Sequence, residues 1–172
     1  MSFCRIERLC KRGGWHRGTR HSLRYTIEVP QIEGADRINH LYASIAERCE
    51  TFCQRSLKER IKDMAVGSYI YDVSCFCSHN DGETVSFALR ARLSRDGCVE
   101  SERIFAHTWE ADCEEMIPPH QLADRYGGNK RDKGECMLLK DGKIYVMRAE
   151  EYDVLRRKYR IGSRKQNNIS KV

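Results

Sequence analysis

Proline and long apolar runs are scarce in this chain of 172 residues, which contains three prolines. No stretch approaches the roughly 18 consecutive apolar residues that a membrane-spanning helix requires. Residues 1–15 alternate Arg and Lys with short side chains, so they lack the apolar segment of a secretory signal peptide. These absences predict a cytoplasmic protein without a membrane span.

The signature motifs of several enzyme classes are also missing. The chain contains no Cys-x-x-Cys pair, no Gly-x-Ser-x-Gly turn, no His-Glu-x-x-His helix and no phosphate-binding loop. Each of these motifs places reactive or ligating groups at a fixed spacing, and none of those spacings occurs here. The sequence therefore predicts a protein that is not an enzyme and that needs no cofactor.

The chain has nine cysteines, an odd number. Secreted disulfide scaffolds usually carry an even number of cysteines behind a signal peptide, and neither condition is met. Free thiols in a reducing compartment fit this pattern better. Buried cysteine then behaves as a small apolar residue and contributes to the core.

Tight turns are the clearest structural signal that is present. Asp-Gly supplies the positive φ angles of two-residue hairpins, and three such pairs occur: Asp81-Gly82, Asp96-Gly97 and Asp141-Gly142. The first two join the strand-like runs 68–79, 85–93 and 98–109 into an antiparallel meander, with a β-bulge expected near Arg103. The third predicts a late hairpin.

Residues 35–65 carry apolar side chains at the spacing of one helical face, including Ile45, Phe52 and Leu57. No Gly or Pro interrupts this run before Gly67, so we expect a helix of about 28 residues. The fold class predicted is α+β, with one long helix packed on an antiparallel meander sheet as a two-layer sandwich. A late β-hairpin and a short C-terminal helix complete it.

Positive charge is concentrated at the two ends. Residues 1–24 hold seven Arg or Lys and one Glu, and residues 154–172 hold seven Arg or Lys and no acid, so the stretch between them is acidic. The domain organisation predicted is a basic mobile arm over 1–20, one α+β domain over 21–160 and a basic tail over 161–172. The arms could fold back on the acidic body or contact nucleic acid. Candidate contacts are Arg5, Arg8, Lys11, Arg12, Trp15, Arg17 and Arg20.

One group of soft ligands stands out at the end of the first meander strand. Cys75, Cys77 and His79 alternate along one run and would share a face of the strand. Thiolate and imidazole are zinc ligands, which makes these residues a candidate metal site. Packing of the two cysteines in the core is the alternative.

The order of motifs resembles a bacterial domain of unknown function. The resemblance is carried by 25–32 (Tyr-Thr-Ile-Glu-Val-Pro-Gln-Ile), 36–39 (Asp-Arg-Ile-Asn), 140–144 (Lys-Asp-Gly-Lys-Ile) and Glu151-Tyr152, and it spans roughly residues 23–160. That domain forms the extracellular part of lysozyme-sensing anti-sigma factors of the RsiV type, and a related module precedes some peptidoglycan deacetylase domains. The resemblance implies the same order of elements and a domain that is not catalytic.

This chain departs from that family in three respects. It lacks the export signal and membrane anchor, it has only 79–82 (His-Asn-Asp-Gly) where the family has a Gly-rich, His-containing loop, and it is rich in cysteine. The function predicted is a non-enzymatic binding or regulatory module that contacts another protein. The alternatives are a nucleic-acid-associated protein that uses the basic arms and a small metal-dependent enzyme.

Overall fold

The computed structural model describes residues 5–127, 136–159 and 161. The strands of the main sheet are β1 (Ile6–Arg17), β2 (His21–Ile32), β3 (Gly67–Asn80), β4 (Thr84–Arg95), β5 (Cys98–Glu110) and β6 (Glu115–Met116). A separate hairpin consists of β7 (Met137–Lys140) and β8 (Lys143–Val146). The helices are α1 (Asp36–Phe52), α2 (Lys58–Lys62), α3 (Pro119–Tyr126) and α4 (Tyr152–Lys158).

The long helix predicted over residues 35–65 is confirmed as one rod with a local irregularity. α1 passes through a π-helical turn, Cys53–Leu57, directly into α2. Its apolar stripe is buried, and Ile38, Tyr42, Leu57 and Ile61 are fully enclosed. None of the helices in the described residues is long and apolar enough to cross a bilayer.

The six strands lie in sequence order from β1 to β6. All neighbours pair antiparallel except β2 and β3, which pair in parallel from His21 opposite Gly67 to Ile27 opposite Val73. A parallel pair needs a long crossover, and the α1–α2 rod supplies it. The α+β class and the β3–β4–β5 meander are confirmed, whereas the sequence did not predict the parallel pair.

The rod covers one side of the sheet, which we call the helix face. Its buried residues pack with Leu23, Ile27, Val73, Phe87 and Leu89 in the main core. The other side, the opposite face, holds a second core beneath the late hairpin and α4. That core contains Phe76, Ala88, Leu138, Tyr152 and Leu155.

The second core corrects one expectation. Alternation along β4 predicts one buried and one wet face, but every residue from Thr84 to Arg90 is buried. The opposite face of this half of β4 is dry because the chain returns over it. Ser86 illustrates the contact, since its hydroxyl accepts a hydrogen bond from the backbone N–H of Leu139 at 3.1 Å.

The largest correction concerns the predicted irregular arm over residues 1–20. Residues 6–17 instead form β1, paired antiparallel with the whole of β2. Gly13 and Gly14 predict a break in any helix, and here they are strand residues that allow close packing. A Cβ on Gly13 would collide with the Tyr25 ring, and one on Gly14 would lie 2.7 Å from the Leu23 carbonyl oxygen. The predicted C-terminal tail also begins differently, because Ile161 is buried in the main core; residues 162–172 lie outside the described residues.

Two of the three Asp-Gly turns have the predicted geometry. Asp96 and Gly97 have φ of 50° and 84°, and Asp141 and Gly142 have φ of 52° and 76°, as a two-residue hairpin of type I′ requires. At the remaining turn the loop is one residue longer, and the Asp81 carboxylate accepts hydrogen bonds from the backbone N–H groups of residues 83 and 84.

The β-bulges lie away from the predicted position near Arg103. On β5 the register shifts between Ser101 and Val99, so the extra residue is Glu100. On β3 the shift falls between Cys77 and His79, which leaves Ser78 unpaired. Both bulges sit towards strand ends, where bulges commonly bend or end a ladder.

Candidate binding surface

β1 is the first strand of the sheet, and no strand of the described residues pairs with its outer side. The backbone N–H of Glu33 donates to the Arg5 carbonyl oxygen at 2.9 Å. In an antiparallel ladder every second residue bonds to the partner strand. With the register of β1 on β2, this bond shows that the odd-numbered residues of β1 are the ones that bond to β2. The N–H and C=O groups of the intervening residues therefore point away from the sheet. They belong to Ile6, Arg8, Cys10, Arg12, Gly14 and His16, and we call this row the β1 edge.

Pro30 agrees with the same alternation. It lies opposite Arg8, at a position where the β2 backbone does not bond to β1. Its nitrogen faces the β3 side, and the pairing with β3 has already ended at Ile27. The missing N–H therefore costs no ladder bond. The sequence predicts that Pro30 ends the strand, but β2 continues to Ile32.

A cleft of about 320 Å³ lies on the helix face beside the β1 edge. Its walls include Gly14, Trp15, Tyr25, Gln54, Arg55 and Lys58. We call it the Trp15 cleft. The absence of a side chain at Gly13 leaves room for the Tyr25 ring, whose hydroxyl donates to Glu50 at 3.2 Å and accepts from Gln54 at 3.1 Å. These bonds fix the inner wall of the cleft.

The outer wall of the Trp15 cleft is cationic. The Lys58 ammonium lies 5.6 Å from the centroid of the Trp15 ring, a cation–π arrangement. Arg55 is exposed on the preceding turn of the rod. Among the described residues neither cation has a carboxylate within ion-pair distance, so both can meet an incoming anion.

The neighbouring charge pair differs because it is already satisfied. Lys11 donates to Glu50 at 2.7 Å. This hydrogen bond raises the pKa of Lys11 and lowers the pKa of Glu50. Since Glu50 also accepts from Tyr25, its two oxygens are both engaged, which limits its repulsion of an anion in the cleft.

The strand divides the predicted nucleic-acid contacts between two faces of the sheet. By alternation, Lys11, Trp15 and Arg17 lie on the helix face, whereas Arg8 and Arg12 lie on the opposite face. Three of the predicted cations are in ion pairs: Arg5 with Glu7, Arg8 with Glu28 and Lys11 with Glu50. Arg20 lies in the β1–β2 turn, where its carbonyl oxygen accepts from the Gly67 N–H. The structure thus leaves Arg12, Arg17 and Arg20 exposed without a described carboxylate partner.

The Arg8 pair is structural. Its side chain is 8% exposed, and Glu28 also accepts from Arg156 of α4 at 2.8 Å. One carboxylate therefore bridges β1 and the C-terminal helix across the opposite face. This arrangement holds β1 in place while leaving its outer backbone groups open.

The candidate metal ligands are not brought together. Cys75 and Cys77 face the main core, and burial raises the pKa of both thiols, that of Cys77 to about 12. A thiol that stays protonated is a poor zinc ligand. The bulge at Ser78 turns His79 away, and its ring contacts Asp81 at 3.1 Å. Within residues 5–127, 136–159 and 161, no group of three or more His, Cys, Asp or Glu is arranged to hold a metal ion.

A buried polar cluster lies between α1 and β5. The Trp109 indole N–H donates to the Tyr42 hydroxyl at 3.1 Å, and that hydroxyl lies 3.1 Å from His107 Nδ1. The Tyr42 hydroxyl can donate to His107 Nδ1 or accept from it, according to the tautomer of the imidazole. Burial lowers the pKa of His107. The neutral form of the imidazole is therefore favoured at this position.

A second cleft, of about 240 Å³, lies where α1 begins, between Arg5, Glu7, Glu33 and Asn39. The Asn39 side-chain amide already has partners within the protein, because it donates to the Ile32 carbonyl oxygen at 2.7 Å and accepts from the Ile32 N–H at 2.8 Å. With charges of both signs on its walls, this cleft favours no class of ligand.

Sequence reasoning identified Trp15 but missed Arg55 and Lys58. They are three residues apart on the rod, a spacing that puts both on one flank. That spacing alone predicts only a solvated face, because about 40 positions separate these cations from Trp15 along the chain.

No protein-family model matches the chain, and no curated protein matches it in sequence. Two similar solved structures are a DUF3298 family protein from Pseudomonas aeruginosa PAO1 and a member of the DUF3298 family from Bacteroides fragilis NCTC 9343. The first is 12% identical with a TM-score of 0.45 and is matched over 70% of this chain and 56% of its own. The second is 8% identical with a TM-score of 0.43 and is matched over 69% of this chain and 60% of its own. This chain thus spans little more than half the length of either structure. Both belong to a family named as a domain of unknown function.

Proposed function

We propose that this protein is a non-enzymatic binding module that holds an extended segment of another protein along the β1 edge. The observation that carries the proposal is the row of six outward N–H and C=O pairs on β1, a strand of twelve residues whose outer side pairs with no other strand of the described residues. Unpaired strand groups are a template for another chain, and strand addition is a common mode of peptide recognition.

The construction of β1 supports this role. The strand runs without a register shift along β2, so its outer groups keep a regular spacing over about 40 Å. Its middle carries no proline that would interrupt pairing. The buried Arg8–Glu28–Arg156 contact and the Lys11–Glu50 pair hold its two faces to the body. An ordered edge loses less conformational entropy on binding than a mobile arm would.

The sequence resemblance is consistent with this proposal. The RsiV-type domain that the chain resembles is not itself catalytic, and a role in binding or regulation follows from that resemblance as an expectation. The partner and the compartment are left open by it. We propose the RsiV-like assignment only at the level of a domain that contacts another protein.

Nucleic-acid association is the second candidate, and one observation favours it. Trp15 beside Arg55 and Lys58 could stack on a base while the cations contact a phosphate. We prefer a peptide segment over nucleic acid as the partner, because nucleic acid would not pair with the outward backbone groups of β1. The remaining cations of β1 are also divided between two faces of the sheet.

The proposal is tested with the full-length chain and a displayed library of random ten-residue peptides. We expect selection to enrich peptides that bind with measurable affinity in calorimetry. Arg12→Pro removes one outward N–H and should weaken their binding at least tenfold. Arg12→Ala, which removes the same side chain and keeps the N–H, is the matched control and should weaken binding clearly less than Arg12→Pro does.

Residue-resolved hydrogen exchange provides the second measurement. Binding should protect the amides of Arg8, Cys10, Arg12 and Gly14 and leave the exchange of Lys11 and Gly13 unchanged, because those amides already bond to β2. Failure to enrich any peptide, or equal binding by Arg12→Pro and Arg12→Ala, would overturn the proposal.

A further inference from the structure

We infer that the segment bound along the β1 edge is acidic, and that the Trp15 cleft receives one of its carboxylates. This inference rests on the proposed function and adds the chemistry of the partner. It follows from the position of the cleft, the charges on its walls and the alternation of side chains on an added strand.

The position of the Trp15 cleft lets it receive a side chain of a strand bound at the β1 edge. The Trp15 cleft opens beside Gly14 and Trp15, the part of β1 nearest the π-helical turn of the rod. Side chains of an added strand alternate between the two faces of the sheet, and each lies beside the β1 residue opposite it. A side chain opposite Trp15 therefore points to the helix face and towards the cleft.

The positive charges on the walls of the cleft favour a carboxylate side chain as its ligand. Lys58 and Arg55 are both without a described carboxylate partner, and no acidic residue lines the cleft within the part of the chain that the structure describes. An arginine guanidinium can bind a carboxylate through two parallel hydrogen bonds. The Trp15 ring beneath the Lys58 ammonium provides an apolar wall for the methylene groups of a Glu side chain.

Arg12 predicts the spacing between two acidic residues of the bound segment. Arg12 is exposed on the opposite face and also has no carboxylate partner among the described residues. It lies three residues from Trp15, so the partners of the two positions are also three apart on an added strand and point to opposite faces. The expected pattern is an acidic residue, two residues of any type and a second acidic residue.

Competition with nucleic acid is limited by the same geometry. A phosphate backbone needs cations along one continuous path, and here Arg12 is separated from Arg55 and Lys58 by the sheet itself. The rod also carries Glu47, Glu50 and Glu59, which lie near Arg55 and Lys58 in the sequence. An isolated carboxylate fits between these charges more readily than a polyanion does.

The test uses the peptides enriched by the library selection and the double variant Arg55→Glu/Lys58→Glu. We expect enriched peptides to carry acidic residues three apart. The double variant should weaken their binding at least tenfold, and exchanging the cleft-facing acid for Lys in the peptide should restore binding to the variant. The matched control is Arg48→Glu/Arg60→Glu, which makes the same change in charge at exposed positions of the rod outside the cleft and should alter affinity less than threefold.

The outcomes separate this inference from the proposed function. Peptides that lose affinity with Arg12→Pro but show no acidic preference, and that bind the double variant normally, would overturn the inference and leave the strand-addition proposal standing. If no peptide is enriched and a 20-nucleotide thymidine strand binds in a manner sensitive to Trp15→Ala, both are overturned in favour of nucleic acid. If neither probe binds, both are also overturned.

Discussion

β1 and β5 form the two long edges of the sheet, and they are built differently. β1 pairs with β2 in one unbroken register along its length, and no strand in residues 5–127 or 136–159 pairs with its outer side. β5 is interrupted by the bulge at Glu100, and β6 covers its last two residues, Trp109 and Glu110. The cations cluster on and beside β1, whereas β5 exposes Val99 and Phe105.

This difference bears on how each edge behaves towards another chain. Bulges and short covering strands are devices that keep an edge from pairing indiscriminately. β5 has both devices, and β1 has neither over the twelve residues of the strand. The charge on β1 prevents self-pairing between like edges while leaving it open to a segment of opposite charge. The comparison therefore supports the proposal that β1, and not β5, is the edge that binds a partner.

The largest expected effect separates the two sides of β1 itself. Lys11→Pro removes an N–H that bonds to β2, and we expect it to lower the free energy of unfolding by about 2–4 kcal/mol. Arg12→Pro removes an outward N–H and should cost less than about 1 kcal/mol. Urea unfolding of both variants, with Lys11→Ala and Arg12→Ala as controls for the side chains, measures the difference. Equal losses would mean that the ladder alternation assigned to β1 is wrong.

The next effect tests why β1 is a strand. Gly13→Ala would drive a Cβ into the Tyr25 ring, and we expect a loss of about 1–3 kcal/mol in the free energy of unfolding. The loss should shrink in a Tyr25→Ala background, because the ring that clashes is then absent. A double-mutant cycle with no coupling between the two positions would contradict the packing described for the cleft wall.

The β5 side should be the more sensitive to acid. Burial lowers the pKa of His107, so its unfolded state takes up a proton at a higher pH than its folded state does. The stability that neutral His107 provides is therefore present above about pH 6.5 and is lost as the pH falls through the folded-state pKa. Chemical unfolding between pH 7.5 and 5 should show a steeper fall for the natural chain than for His107→Asn. Parallel curves would exclude this role.

The smallest effect is expected at the β1 ion pair. Lys11 and Glu50 are both partly exposed, with 28% and 26% of their side chains accessible. Exposed pairs contribute up to about 1 kcal/mol, and salt screens them. Lys11→Met should thus shift the urea midpoint slightly at low ionic strength and not at all in high salt. A large, salt-independent loss would show that the pair matters more to β1 than its exposure implies.

Elements with local signals could be predicted from the sequence. Two of the Asp-Gly hairpins and the long rod follow from turn chemistry and from the spacing of apolar residues, both of which are set within a short window. The bulge at Glu100 was placed wrongly near Arg103 because alternation on β5 is blurred: Ile104 faces the second core, and Phe105 is exposed on the other face. The sequence of β4 carries no signal for the late hairpin that buries its opposite face.

The candidate site was less predictable, since its parts come from distant segments. Trp15 and the cations of β1 were identified from composition, but as members of a mobile arm. Gly13 and Gly14 predicted a break in any helix. Their packing roles, with Gly13 beside the Tyr25 ring and Gly14 beside the Leu23 carbonyl oxygen, depend on a partner strand. Arg55 and Lys58 carried no signal that linked them to Trp15.

The sequence by itself determined the α+β class, the amphipathic rod, the meander and the concentration of positive charge near the first residues, because periodicity, turn residues and charge are local properties. Only the tertiary structure decided that those charges sit on an ordered edge strand and which of them are neutralised by Glu7, Glu28 and Glu50. It also decided that two cations of the rod, Arg55 and Lys58, lie beside Trp15. Those outcomes depend on pairings between residues far apart in the chain, and the free energy of such pairings appears only when the strands and the rod have come together.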